Sequence, residues 1–337
     1  MPRRPFSALA LPLFLVLTLT GVGLECARAE GLGLFPVRNF QPIQLMFLQM
    51  PGDRAAVIPK GTLNIRTELA ETSSVFRDTS GPYNTAMLFE QLRSSLFFRY
   101  GLTDRLEIGL EIPVLYRYPG FLDGVIKATE RATTGLSPAR AALDKSGFVY
   151  AFDKNGRSLF SGQPGDTGLG DITFSSKYRL VAEDDRHPTV SARFALKVPS
   201  GDAGRFFGSG HADLGLGLAM EKTLFERWVA YVNVNGIVPT GQVSGLTVSP
   251  AMSGLVGMEY LWTRDFSLVA QFDYYSSPFR NTGSPILDRG ATEVAAGFNY
   301  RLRKQLLWQF YGIENVDFIT GSEADFTMAT TITYLFF

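Results

Sequence analysis

The chain has 337 residues with 32 basic and 32 acidic side chains, one cysteine, two histidines and a mean hydropathy of only +0.06. Balanced charge with no basic patch excludes an electrostatic nucleic-acid binder, and a single cysteine excludes a disulfide scaffold. Only one long apolar run occurs, at the N-terminus, which excludes a bundle of membrane-spanning helices.

In chain order, Arg3 and Arg4 precede an apolar stretch from Ala8 to Leu24, and Ala27-Arg28-Ala29 forms a small-x-small cleavage site. This pattern predicts a secretory signal peptide over 1–29, removed on export together with Cys26. Residues 30–58 follow, with Pro36, Pro42 and Pro51 and the apolar stretch Ile43 to Met50. They are expected as a periplasmic or lumenal N-terminal segment. Leu45, Phe47 and Leu48 favour a lumenal plug, because they are poorly placed in water.

From residue 59 to Phe337 one pattern repeats, an alternating run followed by a link. Val294, Ala296, Phe298, Tyr300 and Leu302 share one face, while Glu293, Ala295, Gly297, Asn299 and Arg301 share the other. Such runs are predicted near 60–72, 86–101, 105–116, 169–181, 188–199, 211–223, 227–239, 250–262, 265–277, 290–302, 305–315 and 326–337. Their lengths approach the roughly 9–11 residues that a tilted strand needs to cross a bilayer, against about 5–6 for a soluble strand. Aromatic residues collect at strand ends, as with Tyr100, Trp228, Tyr260, Trp262, Tyr300 and Tyr334. The fold expected is an all-β, transmembrane, antiparallel up-and-down β-barrel of about twelve strands, with short periplasmic turns and longer extracellular loops.

The longest link, 117–168, is the expected functional loop, since barrels place gating and recognition in such insertions. Phe121 to Arg131 reads as a short amphipathic helix, and Phe148 to Phe160 as a hairpin turning at Lys154-Asn155-Gly156. The last strand carries Phe326, Met328, Ile332, Tyr334 and Phe336 in one phase. It resembles the C-terminal signal read by the barrel-assembly machinery, with Phe337 one residue out of register.

Several segments resemble the Gram-negative outer-membrane family called domain of unknown function 3187. These are Pro51-Gly52-Asp53-Arg54-Ala55-Ala56, Gly120-Phe121-Leu122-Asp123-Gly124, Gly168-Leu169-Gly170-Asp171-Ile172, Leu196-Lys197-Val198-Pro199-Ser200-Gly201-Asp202 and Gly208-Ser209-Gly210-His211-Ala212-Asp213-Leu214. The resemblance implies a location and a barrel but no activity. The Gly-Leu-Gly-Asp and Lys-Val-Pro-Ser-Gly-Asp pieces are also similar to outer-membrane proteins linked to aromatic-compound degradation.

Inward faces carry the candidate lumen residues Arg93, Arg99, Glu107, Glu111, Lys177, Arg179, Arg193, Lys197, Asp213, Asp273, Glu293 and Arg301, along with Arg66 and Glu68. Their signs alternate between neighbouring strands, which suits cross-strand pairing in a narrow lumen or a field that selects a charged solute. Phe121, Asp123 and His211 are the loop candidates. Ser209, His211 and Asp213 offer a hydroxyl, a base and a carboxylate, but adjacency in sequence does not supply triad geometry. No Gly-x-Ser-x-Gly elbow and no His-x-x-x-His zinc pair occurs. The function expected is a channel or transporter for a small solute. The alternatives are a closed structural or surface-interaction barrel and an outer-membrane lipid-modifying enzyme. No cofactor is expected, and the partners expected are outer-membrane lipid, lipopolysaccharide and the barrel-assembly machinery around a monomer.

Overall fold

The computed structural model describes residues 30–337 apart from 80, 134, 136, 137, 144–146 and 317–323, so the expected signal peptide lies outside the described residues. The chain begins with a single 3-10 turn at Gln44–Met46 and then forms β1 (Leu63–Asp78), β2 (Tyr83–Gly101) and β3 (Leu106–Tyr118). A long link follows, carrying α1 (Leu122–Thr133), α2 (Pro138–Leu143), the hairpin β4 (Val149–Lys154) and β5 (Arg157–Ser161), and the short β6 (Thr167–Leu169). Next come β7 (Ile172–Val181), β8 (Thr189–Val198), β9 (Asp213–Leu224) and β10 (Trp228–Pro239), then a small hairpin of β11 (Gln242–Val243) and β12 (Leu246–Thr247). The chain ends with β13 (Ala251–Leu261), β14 (Phe266–Tyr275), α3 (Pro285–Asp288), β15 (Ala291–Arg303), β16 (Leu306–Asn315) and β17 (Phe326–Phe336).

Twelve of these strands pair antiparallel with their neighbours in sequence and close into a barrel. Closure joins β1 to β17, from Leu63 opposite Phe336 to Ser73 opposite Phe326. Among the described residues closure gives each of the twelve wall strands a partner on both sides, which is what allows strands to stand in lipid. Among the described residues no helix is long and apolar enough to cross a membrane.

Polarity is inverted relative to a water-soluble protein. Glu68, Arg93, Glu107, Lys197 and Glu259 are buried inside, while Leu216, Val256 and Phe272 are exposed on the outer wall. One end of the barrel has the links 102–105, 182–188, 225–227, 262–265 and 304–305, together with both ends of the wall, Leu63 and Phe336. Aromatic side chains ring this end, with the Trp228 and Tyr260 rings 4.8 Å apart. The other end carries the long links, except that 73–85, expected as a loop, is mostly strand. There β1 and β2 stay paired up to Asp78 opposite Thr85, and β4 adds to the β2 extension from Tyr83 to Leu88. The β4–β5 turn places Asn155 at φ 52° and Gly156 at φ 76°, the conformation a two-residue hairpin demands.

The lumen is filled by residues 31–58, which enter from the short-turn end. Leu32, Phe35, Val37 and Phe40 pack against Val229, Tyr231, Leu255 and Tyr311 on the wall, with Phe35 stacked on Tyr311 at 4.5 Å. Small residues on the inner wall make room for them. A Cβ on Gly257 would meet Leu34 at 2.5 Å, and one on Gly215 would meet Met50 at 2.6 Å. At the long-loop end Ile43, Met46 and Phe47 join Tyr83, Phe89, Phe152, Phe160 and Phe279 in a second apolar cluster that closes the mouth.

Candidate functional site in the barrel lumen

An irregular segment inside a barrel must find partners for its backbone and its charges from the wall. Glu259 accepts from the Leu32 and Gly33 amides at 2.9 and 3.2 Å. Gln271 accepts from Phe35 N at 2.6 Å, and Asp213 from Leu48 N at 2.7 Å. Glu221 takes Arg54 side-on, with Nε at 3.2 Å and Nη2 at 2.6 Å.

Three ionic clusters then bind plug to wall. Near the short-turn end, Asp53 accepts from Arg99 Nη1 at 2.8 Å and from Lys177 Nζ at 3.0 Å, and Lys177 also lies 3.2 Å from Glu107. In the middle, Arg38 of the plug pairs with Glu111 at 2.8 Å, while Arg93 bridges Glu68 at 2.6 Å and Glu111. Towards the loops, buried Lys197 contacts Asp171 at 2.6 Å, Asp213 at 3.1 Å, Ser209 Oγ at 2.6 Å and the Met46 carbonyl at 2.7 Å. Asp171 reaches this cluster because it shares the inward phase of Thr173 and Lys177, and a one-residue slip in the pairing with β3 then turns Leu169 outward opposite Val114. Deleting one partner of such a buried pair leaves an uncompensated charge and costs about 3–5 kcal/mol.

Of the residues singled out from the sequence, Arg93, Arg99, Glu107, Glu111, Lys177, Lys197 and Asp213 belong to these clusters. Arg193 lies beside the first, donating to Asn233 at 3.1 Å, to Asn235 at 3.3 Å and to the Pro51 carbonyl at 2.7 Å. Asp273 and Glu293 face each other in register on β14 and β15, buried on the far side of the lumen. Arg179 and Arg301 correct the lumenal expectation. They keep the inward phase but sit half-buried at the short-turn rim, where Arg301 approaches Asp265 at 3.8 Å and the strand register slips.

The loop candidates do not converge either. Phe121 is exposed, and Asp123 pairs with Lys127 at 2.7 Å on α1. His211 meets Ser209 through its backbone, its amide donating to Ser209 Oγ at 3.3 Å and its carbonyl accepting from it at 3.1 Å, and Ser209 Oγ is held by Lys197. Ser209, His211 and Asp213 therefore do not form a relay. Among the described residues no group of three His, Cys, Asp or Glu side chains is placed to hold a metal. The residues that sequence reasoning left unassigned are the plug's own charges, Arg38, Asp53 and Arg54. Asp53 and Arg54 stand in the Pro51-Gly52-Asp53-Arg54 segment, where charges amid turn formers were the available signal.

Three cavities lie end to end between the plug and the wall, the first two mainly against β2, β3, β7 and β8 and the third against β1, β16 and β17 as well. The first, about 20 Å³, lies nearest the loops and shares Gln49, Glu111 and Thr173 with the second, of about 60 Å³. The second shares Asp53, Arg66, Arg99, Glu107 and Lys177 with the third, of about 240 Å³, which extends to Asn64, Thr333 and Leu335 at the short-turn end. Each is roomy enough for water.

This architecture is similar to the COG4313 outer membrane channel from Pseudomonas putida F1, with 14% identity, 84% of this chain and 98% of that chain covered, and a TM-score of 0.57. That likeness shows an outer-membrane β-barrel fold. The KdgM porin matches at 9% identity over 82% of this chain and 99% of its own, with a TM-score of 0.40. The Pseudomonas putida toluene transporter TodX matches at 12% identity over 90% of this chain and 98% of its own, with a TM-score of 0.39. No curated protein matches significantly. The family described as protein of unknown function DUF3187 matches residues 12–336, and the chain belongs to that family.

Proposed function

We propose that the protein is an outer-membrane channel for a small solute, with a path along the β2–β3–β7–β8 side of the lumen, past a removable N-terminal plug. The observation that carries this reading is the line of three cavities meeting at shared charged residues, the last of them reaching the short-turn end. A barrel serving only as a scaffold needs no such seam between plug and wall. Beside its apolar packing, the plug is held by polar contacts and ion pairs that can exchange with water or a solute, while the wall is held by a continuous ladder.

In this reading residues 1–29 direct export and are removed, the short turns face the periplasm, and lipid and lipopolysaccharide surround the outer wall of a monomer. The aromatic C-terminal strand addresses the assembly machinery. No catalytic role is assigned, since the relay suggested by Ser209, His211 and Asp213 is not assembled. The test is planar-bilayer recording on refolded mature protein and on a variant lacking 31–58. Small, infrequent current steps are expected for the complete chain and large, steady steps for the variant. A variant that stays folded and conducts no better would favour the closed structural barrel.

A further inference from the structure

Arg66, on β1, is a lumenal cation that no carboxylate contacts directly among the described residues. It is 9% exposed and forms no hydrogen bond or ion pair among the described residues, and its Nε and Nη2 are shut away from solvent without an acceptor. The Phe97 ring, 4.0 Å from the guanidinium carbon, covers one face of the cation, and Glu68 and Asp53 act on it only from beyond ion-pair distance. A guanidinium carries five N–H donors in its plane and no means of losing its charge at ordinary pH. Burying it without an acceptor is strongly unfavourable unless an anion arrives. Arg193, also 9% exposed, has only neutral acceptors, Asn233, Asn235 and the Pro51 carbonyl.

Both arginines bound the middle cavity. The carboxylates around that cavity are already engaged. Asp53 is held by Arg99 and Lys177, Glu107 by Lys177, and Glu111 by Arg38 and Arg93. Two positive charges therefore remain beside a void that also reaches the hydroxyl-bearing Thr173 and Ser175 and the apolar Met50, Phe97 and Ala195. Arg54 shows how the plug and wall satisfy a guanidinium when a carboxylate is within reach, taking Glu221 through Nε and Nη2. Those are the two atoms left vacant on Arg66.

We propose that the middle cavity is a binding station for a small organic carboxylate, its charge taken by Arg66 and Arg193 and its short apolar body lying against Phe97, Met50 and Ala195. A carboxylate has one charged end and one apolar end, as this cavity has, whereas phosphate needs donors on every side. The anion arrives through the largest cavity, which Arg66 also lines. The proposal rests on the channel reading for its purpose, since a station midway along a path serves passage, but binding itself is measurable without current.

The test uses the full mature barrel refolded in detergent and ¹⁹F NMR of two probes that share a trifluoromethyl group, trifluoroacetate and neutral trifluoroethanol. Trifluoroacetate is expected to broaden and shift on the wild type while trifluoroethanol does not. Arg66→Gln and Arg193→Gln are each expected to weaken binding at least about tenfold, as loss of a charge-assisted hydrogen bond does. Arg179→Gln, in the same phase but at the rim, is expected to retain it. Circular dichroism identifies any variant that fails to fold, and the remaining arginine variant then carries the test. Equal response to both probes, binding indifferent to Arg66 and Arg193, or displacement by inorganic phosphate at equal affinity would overturn the proposal. A barrel that binds trifluoroacetate yet never conducts defeats the channel reading and leaves the station standing; one that conducts without binding does the reverse.

Discussion

Arg99 on β2 donates from Nη1 to Oδ1 of Asp53 at 2.8 Å, and this pair ties the plug to the wall where the middle and largest cavities meet. Lys177 holds the other oxygen of the same carboxylate at 3.0 Å. Asp53→Asn removes one charge from between two cations, a change worth about 3–5 kcal/mol for a buried pair. That penalty falls on the seating of the plug, because the strands on either side keep their ladder. Single-channel recordings of Asp53→Asn are expected to show a raised open probability with the barrel intact, and a trace like that of the wild type would sever Asp53 from gating.

Two arginines on adjacent strands carry opposite expectations. Arg93 bridges Glu68 and Glu111, so Arg93→Met leaves a buried carboxylate, Glu68, short of its closest cation and lowers stability by about 3–5 kcal/mol. Arg66 has no acid within ion-pair distance, so Arg66→Met removes a desolvated charge and leaves stability unchanged or raised. Urea-unfolding midpoints of the two refolded variants in the same detergent make the comparison. Equal losses would mean that Arg66 has a partner within the protein.

Glu90 of β2 is the cap of α1. Its Oε2 accepts from the amides of Phe121 and Leu122 at 2.9 and 3.0 Å, and its Oε1 from Asp123 at 2.6 Å. A carboxylate at a helix N-terminus satisfies donors that have no partner within the helix and favours the dipole. Glu90→Ala strips all three at once, at a cost of about 1–3 kcal/mol. Amide exchange at 121–123 is expected to quicken by about tenfold to a hundredfold, with β2 exchange unchanged; protection retained at those amides would show a different cap.

In the short turn 182–188, outside the spanning strands, the His187 ring and then the His187 and Arg186 amides hydrogen-bond to Asp184 and hold its carboxyl down to about 2. An unfolded aspartate titrates near 3.9. The folded value is the lower one, so the turn's contribution is present in full above roughly pH 4, and it fades as pH falls through about 2. An NMR titration of the Asp184 side chain should give its midpoint there, and a midpoint near the unfolded value would contradict the turn geometry.

The wall was legible because period-two alternation against lipid leaves a one-dimensional trace. Residues such as Phe272 and Asp273, adjacent in sequence and opposite in environment, reveal their faces without reference to anything distant. Strand ends were less legible. Arg179 and Arg301 share the phase of Lys177 and Asn299, yet a register slip and the end of the wall return them to the rim. Alternation carries no information about depth. The plug contacts were hidden for another reason: Asp53 meets Lys177 across 124 residues, and Leu32 meets Glu259 across 227. No local pattern encodes such pairs, and the prolines that keep 30–58 irregular also erase its periodicity.

Plug and loops share one apolar cluster, which makes the lid the complement of the ionic seam. Phe160 of β5 is fully buried and lies 5.6 Å from Phe152, 5.4 Å from Phe206 and 6.4 Å from Phe279, and Phe279 in turn meets Phe47 of the plug at 5.3 Å. Phe160 thus joins the hairpin to two other long links and, through Phe279, to the plug. Phe160→Ala opens a cavity where these elements meet and costs about 3–5 kcal/mol at a well-packed site. The barrel ladder does not depend on that ring, so the loss is confined to the lid and the upper plug. Exchange at 149–161 and 43–47 is expected to rise together while β13 to β16 stay protected. If the hairpin loosens and 43–47 does not, the mouth and the plug open independently, and the lid is a cover with no hold on the path beneath it.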